Sequence, residues 1–87
     1  MAVVYIPAQL REHTGGLRTV EAAGTSVREI VEALETRFPG IAARLCDGNE
    51  LQAGLQVSID DAISTRGLLA RVDTDSEVHF LPAIGGG

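Results

Sequence analysis

The segment from Ser26 to Gly40 constrains the fold more than any other stretch of the chain. Ser26-Val27-Arg28-Glu29 reads as a capping box: the Ser26 hydroxyl accepts the Glu29 N–H, and the Glu29 carboxylate reaches back to the N-cap. Val27, Ile30, Val31, Leu34 and Phe38 follow at i, i+3, i+4, i+7 and i+11, an apolar stripe along a helix of about three turns. Arg28, Glu29, Glu32, Glu35 and Thr36 fall on the opposite face, with Arg28 and Glu32 spaced as an i,i+4 ion pair. Pro39-Gly40 stops the helix. One amphipathic helix must bury its stripe against something, and the remaining segments read as strands.

Residues 2–6 alternate, with Ala2, Val4 and Ile6 on one side and Val3 and Tyr5 on the other. Residues 8–16 connect them to a second strand, Leu17 to Ala22, and Gly15-Gly16 supplies the positive φ for the reversal. After the helix, Ile41, Leu45 and Cys46 read as a short helical turn against the core, and Asp47 to Glu50 as a turn. Leu55 to Asp60 is a strand with Val57 and Ile59 inward. Asp60-Asp61-Ala62 turns the chain, Ile63 is a brief strand residue, and Gly67 marks another turn. Leu69 to Val72 has no clear assignment. Asp73 to Ser76 is a polar turn before a last strand, Glu77 to Leu81, with Val78 and Phe80 on one face and His79 and Leu81 on the other. The order is β-β-α-β-β: an α+β domain, one mixed sheet packed on one main helix, with the first and last strands as central neighbours.

Composition narrows the function. Seven basic against twelve acidic residues give a net charge of −5, a poor match for nucleic acid or an anionic membrane surface. All the basic residues are arginine, which codon bias explains as well as any chemical reason. A single cysteine, Cys46, excludes an internal disulfide and a multi-cysteine metal site within one chain. The absence of a long apolar run and of a signal-peptide pattern points to a cytoplasmic protein. No Ser-His-Asp, Cys-His or phosphate-loop pattern is present, so a stand-alone enzyme is not expected.

The final strand continues as Val78-x-Phe80-Leu81-Pro82-Ala83-Ile84-Gly85-Gly86-Gly87, and packing does not explain a terminal Gly-Gly. With the β-β-α-β-β order, this end resembles the small sulfur carriers of the ThiS and MoaD family, which have the ubiquitin-like β-grasp fold. The helix through Phe38-Pro39-Gly40 is also similar to that pattern. The segment Ile6-Pro7-x-x-Leu10-Arg11-x-His13-Thr14-Gly15-Gly16 resembles the CysO-type carriers of cysteine biosynthesis. One departure is Gly85, where the family usually has Ala.

The resemblance implies a β-grasp domain over residues 1–82 and a flexible tail, residues 83–87. It implies that the Gly87 carboxylate is adenylated by an E1-like activating enzyme using ATP, then converted to a thiocarboxylate that gives its sulfur to a biosynthetic synthase. Cysteine biosynthesis is favoured as recipient; molybdopterin or a sulfur-containing secondary metabolite are alternatives. No bound cofactor or metal is implied. Gly86, Gly85 and Ile84 would thread into partner sites, because a chain without Cβ atoms passes where side chains collide. Pro82 would stiffen the departure point. The residues after Pro82 reach roughly 17 Å when extended. Val3, Tyr5 and Leu81 fall on the sheet face away from the helix and read as a docking surface for the activating enzyme. The same Gly87 chemistry also serves a ubiquitin-like modifier conjugated to lysines, the alternative reading.

Other candidates carry less. Cys46 reads as a small buried residue. His13 and His79 read as a hairpin-loop histidine and a solvent-facing strand histidine, and two ligands do not make a metal site. Asp73, Asp75 and Glu77 lack the glycine and bidentate glutamate of a calcium loop. Asp60-Asp61 reads as a surface turn.

Overall fold

The computed structural model describes residues 1–82. In chain order the elements are β1 (Ala2–Tyr5), a 3₁₀ helix (Ala8–Thr14), β2 (Thr19–Ala22), α1 (Val27–Arg37), α2 (Ile41–Leu45), β3 (Cys46–Asp47), β4 (Glu50–Leu51), β5 (Leu55–Ile59), β6 (Ala62–Ser64), a 3₁₀ turn (Gly67–Leu69) and β7 (Glu77–Pro82). Five strands form one mixed sheet in the order β2-β1-β7-β5-β6. β1 runs antiparallel to β2 and parallel to β7, so the first and last strands are the central neighbours that their alternation predicts. β7 also pairs antiparallel with β5, in a register that sets Phe80 beside Val57 and Leu81 beside Gln56.

The helix reading holds. Val27, Ile30, Val31 and Leu34 are buried, and with Val4, Val57, Val78 and Phe80 they form the aliphatic core between α1 and the sheet. Ser26 caps α1, its Oγ accepting the Glu29 N–H at 3.2 Å. The return arm of the expected box is displaced by one residue: the Glu29 carboxylate accepts from the Thr25 N–H at 2.7 Å and the Thr25 hydroxyl at 3.1 Å, not from Ser26. The helix entry is also tied to a remote segment, because the Val27 N–H donates to Ala70 O and the Val72 N–H donates to Thr25 O. That pairing explains the segment Leu69 to Val72, in which Ala70 and Val72 are buried while Leu69 is 65% exposed.

Five local expectations change or gain detail. Residues 8–16 are not a plain connection: Ala8–Thr14 is a 3₁₀ helix that closes on Gly15 in the left-handed region at φ 66°. Leu17 is 45% exposed and precedes β2, which starts at Thr19. Asp47 to Glu50 is the tip of a small β3–β4 hairpin. The Arg28–Glu32 ion pair is absent among the described residues; Arg28 Nη2 donates to Asn49 Oδ1 at 3.5 Å instead. The Glu35 carboxylate, expected to face solvent, accepts the Gly40 and Ala42 N–H groups at 2.9 Å each and so caps α2. Those bonds hold its carboxyl below the usual 4.5.

Candidate functional site

β7 is the middle strand of the sheet and ends at Pro82. Its alternation divides the strand, with Val78 and Phe80 buried under α1 and His79 and Leu81 half-buried on the outer face. Register then places neighbours on that outer face: Val3 and Tyr5 from β1, and Gln56 and Ser58 from β5. The trio Val3, Tyr5 and Leu81 therefore shares one face, as alternation predicts, and all three are half-buried. Pro82 ends β7 opposite Leu55, and the Gln56 amide donates to the Pro82 carbonyl at 3.4 Å. Ala83, Ile84, Gly85, Gly86 and Gly87 lie outside the described residues.

Three further residues complete this surface: His79, which alternation already sets on the face of Leu81, and Ile63 and Arg11, which the sequence reading did not include. The His79 ring stacks on Tyr5, with centroids 4.0 Å apart and planes inclined by 10°. Its Nε2 lies 3.9 Å from Glu77 Oε1, so this histidine belongs to the aromatic patch. Ile63 is 52% exposed and pairs with Ser58, which extends the apolar surface across β6. Arg11, from the 3₁₀ helix, lines a groove of about 290 Å³ with Tyr5, Pro7, His79, Leu81 and Pro82. Alternation of β1 and β7 gives the outer face; Arg11 stood in the sequence only as one residue of the Ile6 to Gly16 resemblance, and its place beside β7 had no local signal because residues 8–16 read as a connection.

The remaining candidates are structural. His13 packs toward α2, near enough that a side chain at Gly40 would meet its Nδ1 at 4.0 Å, and its Nε2 is buried with no partner among the described residues. It is thus more enclosed than a loop histidine. Among the described residues no group of three His, Cys, Asp or Glu side chains is placed to hold a metal ion. Cys46 is half-buried beside Arg28, Val31 and Leu68, and burial pushes its thiol above 9.0, with Arg28 opposing. Asp60 and Asp61 form the expected turn, both at positive φ (52° and 71°). Asp60 is also a latch: its carboxylate accepts the Glu77 N–H at 2.8 Å and the Ser76 hydroxyl at 2.9 Å, which together lower its pKa from 3.8. No described helix is long and apolar enough to cross a membrane.

Comparison with known proteins agrees with this geometry. The chain is 33% identical to the sulfur carrier protein CysO of Mycobacterium tuberculosis over 89 residues, covering 97% of this chain and 96% of that one. It superposes on the structure described as the Amycolatopsis orientalis BexX/CysO complex with a TM-score of 0.90 and 39% identity, over 100% of both chains. Small archaeal modifier protein 1 of Methanosarcina acetivorans shares the fold, with a TM-score of 0.75 at 22% identity over 99% of this chain and 95% of that one. The fold is accordingly the ubiquitin-like β-grasp. The ThiS family model matches residues 4–87, nearly the whole chain, and the protein belongs to the ThiS family.

Proposed function

We propose that this protein is a sulfur carrier of the CysO kind. Its Gly87 carboxylate is adenylated by an E1-like enzyme that consumes ATP, then converted to a thiocarboxylate whose sulfur goes to a biosynthetic synthase, with cysteine biosynthesis as the favoured pathway. The protein is a co-substrate, not a catalyst. The observation that carries this reading is the likeness to CysO along nearly the whole chain. Position supports it too: β7, at the centre of the sheet, ends at Pro82, and in the sequence only Ala83 and Ile84 stand between it and Gly85-Gly86-Gly87. The reaching length after Pro82, roughly 17 Å, lets Gly87 enter a partner's site while the domain stays outside. Splitting the sulfur transfer through a covalent carrier replaces one hard step by two easier ones.

Val3, Tyr5 and Leu81, with His79 stacked on Tyr5, supply the docking surface, and Gly85, Gly86 and Ile84 the inserted segment. One neighbour of known structure, the BexX/CysO pair, is a complex, which supports a partner protein for this chain as well. Conjugation to lysines through the same Gly87 is the second reading; the archaeal modifier, at 22% identity, supports its fold alone.

Intact mass of the protein after incubation with the host's activating enzyme, ATP and sulfide tests the proposal. The expected result is the gain of one oxygen-to-sulfur exchange localised to Gly87. Deleting Gly87 is expected to abolish the gain and leave the thermal transition unchanged. An unchanged mass in the intact chain refutes the carrier reading, and lysine-linked higher-mass species select the modifier reading.

A further inference from the structure

The end of the sheet where β7 finishes also carries a charge that the domain itself does not use. Arg11 Nε donates to the Ile6 carbonyl at 3.2 Å, which fixes the guanidinium against the chain leaving β1. That is the only hydrogen bond the Arg11 side chain makes among the described residues, and no carboxylate among them pairs with it. Arg11 is half-buried in a groove of about 290 Å³ whose walls include Tyr5, Leu81 and Pro82. An arginine held by one nitrogen keeps the rest of its planar fork open, and that fork matches a carboxylate in two-point geometry. Although the chain as a whole is acidic, this unpaired cation beside Pro82 is locally complementary to a single carboxylate.

We infer that this groove receives an aspartate or glutamate side chain of the partner protein that takes up the chain end. The carboxylate pairs with the Arg11 fork, and an apolar neighbour of that residue packs on Tyr5 and Leu81. Two features favour this occupant. The groove is continuous with the outer sheet face that bears Val3, Tyr5 and Leu81, and its rim is Pro82, so a partner that draws in the following residues must cover it. The inference rests on the carrier reading and adds the chemistry of the contact: one fixed, charged anchor beside an apolar patch. Its role is to set the orientation in which the chain end enters.

The test is the affinity of the full chain for the host's activating enzyme, measured without ATP over a series of salt concentrations. Wild type is compared with Arg11→Gln, each prepared with a free C-terminus and with a C-terminal carboxamide. Thermal midpoints report the fold, and Arg11→Lys, which keeps the charge and loses the fork, replaces Arg11→Gln should that variant unfold. The expected result is binding weaker by about tenfold with a shallower salt dependence, the same in both C-terminal forms. Unchanged affinity overturns the inference. A loss confined to the free carboxylate form also overturns it, because the chain's own terminus would then be what Arg11 holds. Failure of wild type to bind the enzyme at all removes the carrier reading, a separate and recognisable outcome.

Discussion

Phe80 and Leu81 are adjacent on β7 and face opposite ways, so exchanging them for other residues separates folding from docking. Phe80 is 3% exposed and lies beside Val57, which is fully buried. Phe80→Ala removes most of an aromatic side chain from a close-packed interior and costs about 3–5 kcal/mol. A domain of 87 residues has a total stability of roughly 4–13 kcal/mol, so the loss is a large fraction of the whole. At about 4–8 °C per kcal/mol, the thermal midpoint falls by at least roughly 12 °C. Leu81→Glu acts on the half-buried outer face, where it changes stability by about 1 kcal/mol or less. The assay pairs circular-dichroism melting with sulfur loading by the activating enzyme. Phe80→Ala is expected to lose its transition or shift it strongly, with loading falling only as the folded fraction falls. Leu81→Glu is expected to melt near wild type and to load poorly. Equal melting shifts for the two variants would refute the division of β7 into a core face and a docking face. Normal loading by Leu81→Glu would refute the docking surface alone.

Other outcomes follow from particular contacts. Ser26→Ala removes the side-chain cap of α1 and should lower stability by about 1 kcal/mol in urea titration, with an unchanged m-value. Asp60 has its carboxyl lowered from 3.8 by bonds made only in the folded chain, so its contribution is present above that value and is lost as pH falls through the folded pKa. The thermal midpoint of Asp60→Asn should therefore be lower than wild type near neutrality and converge on it in acid. Cys46, with its thiol raised by burial, should react with a disulfide reagent at neutral pH more slowly than free cysteine. Cys46→Ser should leave sulfur loading unchanged, whereas an acyl-disulfide role for Cys46 would abolish or alter it.

Much of the fold was legible because its signals are local. The stripe Val27, Ile30, Val31, Leu34 repeats at helical period and is the buried face of α1; the alternation in β1 and β7 assigns Val3, Tyr5 and Leu81 to one face before any strand is paired. The 3₁₀ helix Ala8–Thr14 was not legible, since its few i→i+3 bonds impose no apolar period on the sequence. The pairing of residues 70–72 with the entry to α1 was hidden for a different reason: its partners are remote in sequence.

From the sequence alone follow one amphipathic helix, strands before and after it, an aliphatic core and a glycine-ended segment after Pro82. These depend on side-chain period, capping chemistry and covalent reach, which neighbouring residues determine among themselves. Only the tertiary structure decided that β5 flanks β7 on its other side, that His79 stacks on Tyr5, and that Arg11 enters the groove beside Pro82. Those are meetings of segments far apart along the chain. They are selected by burying the core faces of α1 and the sheet together, and no local pattern encodes which outer-face neighbours that burial brings into contact.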